Sequence, residues 1–130
     1  MAKLNVIAIR VGELPKLEEI DSSLESMQAF VDGYIEVIYP FGDETGLDGC
    51  LMVCNEEGKI CGLEPSMVID YDGSKDWMAG NVFIARDGAD GEMESCTEED
   101  LQKFKKLFKC NAFVRDWKDE EYFVPVYKVR

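Results

Sequence analysis

Apolar positions along the chain switch between two periods. Residues 3–11 run almost unbroken through Leu4, Val6, Ile7, Ala8 and Ile9, the pattern of a strand buried on both faces, and Gly12 to Pro15 ends the run. From Ile20 the spacing lengthens. Leu24, Met27, Phe30 and Val31 recur at helical intervals, and Ser22 followed three residues later by Glu25 has the form of a capping box. Asp32-Gly33 stops the pattern, with Gly33 expected to supply the left-handed residue of a helix C-terminus, so a helix is predicted over 22–32. The strand period returns from Tyr34 to Tyr39, which makes the opening order strand, helix, strand. After a loop at 41–49 comes Cys50-Leu51-Met52-Val53-Cys54, then Asn55 to Lys59, then Ile60 to Leu63. That arrangement reads as a hairpin whose turn needs Gly58 at positive φ.

Between Leu63 and Trp77 the chain is rich in turn residues around a short apolar piece, Met67-Val68-Ile69. Asn81 to Ala85 reads as a strand, and Asp87 to Gly91 as the turn into a return strand around 92–96. Thr97 sits where a cap belongs. Glu98, Glu99 and Asp100 follow it, and Lys103, Lys105, Lys106 and Lys109 come later, which matches the helix dipole at both ends. A second helix is therefore expected over 97–109, with Leu101, Phe104, Leu107 and Phe108 as its apolar stripe. The run from Tyr122 to Tyr127 reads as an edge strand, because Pro125 has no N–H to give a ladder. The class is a small α+β domain, 1–130, with a mixed or mainly antiparallel sheet, two main helices, and 111–130 as a C-terminal extension packing that edge strand.

Composition narrows the setting. A chain of 130 residues with 46% hydrophobic content fits one modest core. It holds no apolar run of the roughly 20 residues that span a bilayer and no signal-peptide pattern, so a cytoplasmic protein without a membrane partner is expected. Five cysteines, an odd number, are expected to be free thiols there. The net charge is −13 and uneven: residues 11–100 carry 23 acids against four bases (Lys16, Lys59, Lys75, Arg86), and residues 101–130 carry eight bases against four acids. Phosphate binding needs clustered Lys and Arg, so direct binding of nucleic acid is not expected and a basic protein partner fits better.

Candidate chemistry is sparse. Glu36, Glu56, Glu57 and Lys59 are the residues a small acid–base or ligand site would use, but the chain has no His, no Gly-rich phosphate loop and no nucleophile motif. Asp43, Glu44 and Asp48 lack the ordered spacing of a calcium loop. Cys50, Cys54 and Cys61 lack a zinc-site spacing, and the shared strand parity of Cys50 and Cys54 suits small buried apolar residues. No cofactor or metal is expected.

Three blocks carry a family resemblance. Gly33-Tyr34-Ile35-Glu36-Val37, then Asn55-Glu56-Glu57-Gly58-Lys59 with Gly62-Leu63, then Ala79-Gly80-Asn81-Val82-Phe83-Ile84, resemble the motifs of the domain of unknown function 3846 family. Where relatives often carry an Asn-Arg pair after the Gly-Leu, this chain has Glu64-Pro65. The resemblance implies a phage or mobile-element setting and no particular mechanism. Joined to the acidity, it leads to the expectation of a binding or regulatory protein that engages a basic nucleic-acid-binding host protein by charge mimicry, through Asp43, Glu44, Asp48, Glu56 and Glu57. The alternative is a small enzyme or a metal- or ligand-binding domain using Glu36, Glu56 and Glu57.

Overall fold

A computed structural model describes residues 2–130. Ten strands and two helices follow in the order β1 (Lys3–Ile9), β2 (Lys16–Asp21), α1 (Leu24–Val31), β3 (Ile35–Ile38), β4 (Cys50–Asn55), β5 (Pro65–Tyr71), β6 (Ser74–Ala79), β7 (Val82–Asp87), β8 (Met93–Glu94), α2 (Glu98–Lys105), β9 (Phe108–Arg115) and β10 (Glu121–Lys128). The class is α+β. A larger, antiparallel sheet has the order β2-β1-β7-β4-β3 with β8 on the end of β7, and a smaller, mixed sheet has the order β6-β5-β10-β9. Among the described residues no helix is long and apolar enough to cross a membrane.

The unbroken apolar runs have a simple cause: the larger sheet is covered on both faces. Leu4, Val6 and Ala8 of β1, Leu51 and Val53 of β4, and Phe83 and Ala85 of β7 face α1, which buries Met27, Phe30 and Val31 against them. Phe30 and Phe83 meet edge to face at 5.2 Å. The alternate residues Ile7, Ile9, Cys50, Met52, Cys54, Val82 and Ile84 face the other way, toward Met67 and Ile69 of β5, Tyr127 and Val129, and Leu101 and Phe104 of α2. Cys50 and Cys54 thus lie in one core, as their parity implies.

Thr97 caps α2 in a full capping box with Asp100. That helix ends at Lys105, however, and Phe108 already opens β9. At α1 the cap is Ser23, whose hydroxyl accepts from Ser26 N–H, rather than Ser22. Asp32 takes the left-handed conformation (φ 62) expected of Gly33. The opening order is also corrected: Lys16–Asp21 pairs with β1 in a hairpin, so the chain runs strand, strand, helix, strand.

The edge-strand reading of 122–127 does not hold. β10 lies between β9 and β5, and its register against β5 begins at Val126↔Val68, one residue after Pro125. Pro125 opposes Asn111 of β9 instead, at a place where a missing N–H costs no bond to β5. Nor are residues 111–130 an appendage, since Tyr127 and Val129 are buried in the core between the layers, and Tyr127 stacks on Phe104 at 4.3 Å.

Candidate functional site

β4 ends at Asn55, and this buried side chain ties three segments together. Its Nδ2 donates to the carbonyls of Val31 and Asp32, both at 3.0 Å, which satisfies acceptors that the end of α1 leaves without helical partners. Its Oδ1 accepts from the Glu57 N–H at 2.8 Å. Glu56 N–H donates to the Tyr34 carbonyl at 2.9 Å, just beyond the β3–β4 ladder.

The chain then winds through one helical turn in place of the expected hairpin. Leu63 N–H donates to the Gly58 carbonyl at 3.0 Å and Gly62 N–H to the Lys59 carbonyl at 3.2 Å, with Gly62 at φ 77. This is a Schellman closure, and it needs its left-handed glycine at 62 rather than at 58. Gly58 has no positive φ. A Cβ on it would stand 2.9 Å from the Ala79 Cβ and 3.0 Å from the Ala79 carbonyl oxygen, so close backbone approach is what excludes a side chain there. Ile60 to Leu63 is accordingly not a strand.

On the outer side of this turn lies a groove of about 290 Å³. Glu36 enters it from β3, Glu56, Glu57 and Lys59 from the turn, Asp76 and Trp77 from β6, and Trp117 from the β9–β10 connection. The Lys59 ammonium sits 2.5 Å from Asp76 Oδ1 and 4.7 Å from the centre of the Trp77 ring. Among the described residues Glu36, Glu56 and Glu57 make no ion pair, and all three are exposed. Ile60 and Trp117 are 67% and 68% exposed, a large apolar area for a surface this acidic.

The three sequence blocks that lie apart in the chain are therefore neighbours in space. Gly33 and Tyr34 contact Asn55 and Glu56, and Gly58 packs on Ala79, while Gly80 N–H donates to the Glu64 carbonyl at 2.7 Å. A family model, described as Domain of unknown function (DUF3846), matches residues 3–109. The chain belongs to the DUF3846 family. No curated protein and no solved structure shows significant similarity to it. The matched span holds the whole larger sheet, both helices and the junction. It stops within β9, so Trp117 and the core residues Tyr127 and Val129 lie beyond it.

The DUF3846 junction brings together only some of the acids singled out from sequence. Glu56 and Glu57 are in the groove with Glu36. Asp43, Glu44 and Asp48 lie before the other end of β4, a strand of six residues, or roughly 20 Å away at the usual rise per residue. Their loop folds onto the core through Phe41, Thr45 and Leu47, and its Glu44 shares a cavity with Lys106, Lys109, Lys128 and Arg130. Three of the five acids of the proposed face thus lie away from the groove, and one of them, Glu44, stands beside a cluster of four bases. Sequence reasoning missed Asp76, Trp77 and Trp117. Trp117 is exposed and Trp77 half-buried, and their being the only two tryptophans of the chain was the available signal.

The remaining buried ionisable groups are structural. Asp100 is fully buried: burial pushes its carboxyl up, but the Arg86 guanidinium and the Thr97 N–H outweigh that and hold it below its ordinary value. The Gly73 N–H and the Lys109 ammonium lower Asp70 in the same way. In the groove wall, burial and the nearby Glu36 push the Cys54 thiol up to about 12, so it is protonated at neutral pH and is no nucleophile. Among the described residues no three His, Cys, Asp or Glu side chains are arranged to hold a metal ion.

Proposed function

We propose that this protein is a binding module for a basic segment of a partner protein, with the groove at the Asn55 junction as its docking site. The observation that carries the reading is the pairing of three carboxylates without a cationic partner (Glu36, which accepts only from the Cys54 thiol, Glu56 and Glu57) with two indoles (Trp77, Trp117) around one concave surface. Carboxylates attract Lys and Arg at long range, and indole faces hold their cations and stems at contact. Asp43, Glu44 and Asp48 contribute field rather than contact. The acidity of residues 11–100 and the family's expected mobile-element setting favour a basic nucleic-acid-binding host protein in the cytoplasm, whose groove for phosphate would accept the carboxylates. The acid–base alternative asks for carboxylates in contrasting environments, whereas Glu36, Glu56 and Glu57 are alike in exposure.

The test compares two sets of neutral substitutions in calorimetric titration with an oligolysine peptide. Glu36→Gln with Glu56→Gln and Glu57→Gln should weaken binding at least about tenfold, and Asp43→Asn with Glu44→Gln and Asp48→Asn by no more than about threefold. Equal losses from the two sets, or binding unchanged between about 50 and 500 mM salt, would overturn the reading.

A further inference from the structure

The groove already contains a bound cation, and it comes from the same chain. Lys59 is the one basic residue between Leu17 and Ser74, and its ammonium is held between the Asp76 carboxylate at 2.5 Å and the Trp77 ring at 4.7 Å. A carboxylate beside an indole face is the arrangement by which proteins recognise Lys and Arg side chains. The contact is open to solvent, with Lys59 32% and Asp76 58% exposed, so water and a competing cation can reach it.

Trp117 stands beside this pair on a turn that is built to hold it. Asp116 is buried, and its Oδ1 accepts from the Lys118 N–H at 2.9 Å and the Glu120 N–H at 3.0 Å. The brace fixes the backbone from which the exposed Trp117 indole projects at the groove. Lys59 satisfies Asp76 and leaves Glu56 and Glu57, three and two residues before it, without partners.

We infer that Lys59 is an internal placeholder: it occupies the position on Trp77 and Asp76 that a lysine or arginine of the basic partner takes in the complex, and the partner binds by displacing it. The inference rests on the docking role proposed for the groove and adds a regulation of it, since a self-bound cation lowers affinity for every incoming one and screens out weakly basic segments.

The experiment uses the full chain, an oligolysine peptide and intrinsic tryptophan emission, to which both tryptophans contribute from the groove lining. Lys59→Met keeps an unbranched apolar stem and removes the cation. It should tighten binding about tenfold. Lys75→Met removes the same charge from the neighbouring strand without vacating Trp77, and should tighten binding by no more than about twofold. Lys59→Arg keeps a cation on the ring and should leave the affinity at or below that of the wild type. Equal gains from Lys59→Met and Lys75→Met, or no gain from either while the wild type binds through the groove, overturn the placeholder alone. Absence of any emission change in all four proteins overturns the docking role and the placeholder with it.

Discussion

The side-chain amide of Asn55 lies 2.6 Å from the point where the first carbon of any side chain on residue 33 would stand. The contact locks two sequence blocks more than twenty residues apart into one junction. A methyl group at 33 must push Asn55 off the Val31 and Asp32 carbonyls and the Glu57 N–H, and that leaves buried polar groups unpaired. Gly33→Ala should therefore cost about 1–3 kcal/mol in urea unfolding. In an Asn55→Ala background the same change should cost clearly less, because the buried amide is no longer displaced and only the positive-φ backbone of residue 33 still resists a side chain. Additive costs in the double variant would break the proposed link.

Gly58 makes a separate prediction, because its constraint is space and not φ. Gly58→Ala should cost about 1–3 kcal/mol through overlap with Ala79, and Gly58→Asn no less, although Asn tolerates left-handed backbone better than Ala does. Adding Ala79→Gly should recover part of the loss. A well-tolerated Asn at 58 would restore the positive-φ reading instead.

The Arg86–Asp100 pair sets an acid limit on stability. The folded Asp100 carboxyl is lowered from its ordinary 3.8, so its contribution is complete above that value and is lost as pH falls through the lower folded one. Asp100→Asn should destabilise by about 1–3 kcal/mol at pH 7 by leaving Arg86 unpaired. The difference between variant and wild type should shrink in thermal melts taken below about pH 4. A constant difference down to pH 2 would assign the stability of this corner to something else.

Thiol reactivity checks the layers. Cys61 and Cys110 are exposed, while Cys50, Cys54 and Cys96 are buried. A hydrogen bond to Cys50 and burial both push the Cys96 thiol up. A thiol reagent should label Cys61 and Cys110 in the folded protein and all five cysteines only after unfolding in denaturant without reductant. Rapid labelling of Cys54 in the folded state would mean that the groove wall opens.

What was legible in the sequence is what local physics determines. β1, β4 and β7 are apolar on both faces because both faces are covered, and Thr97 with Asp100 announces a helix start by itself. β2 was hidden because an outer strand reading Lys-Leu-Glu-Glu-Ile-Asp has little to bury. β5 was hidden because Asp70 looks like a turn residue, yet it is buried under Lys109, which is 39 residues away. The turn at Asn55 to Leu63 was misread because Gly58 and Gly62 serve different needs, one spatial and one torsional, and composition does not distinguish them. For the groove, Glu36, Glu56, Glu57 and Lys59 were visible as a cluster. Trp77 and Trp117 were not, because the smaller sheet that carries them assembles through β5–β10 pairing between segments more than fifty residues apart.

The indole N–H signals of Trp77 and Trp117 in a proton–nitrogen correlation spectrum test the docking role most directly. On titration with oligolysine both should shift together and saturate, the amides of residues 43–48 should stay nearly fixed, and the shifts should fade by about 0.5 M salt. Shifts confined to residues 43–48 with both indole signals unmoved would contradict the account.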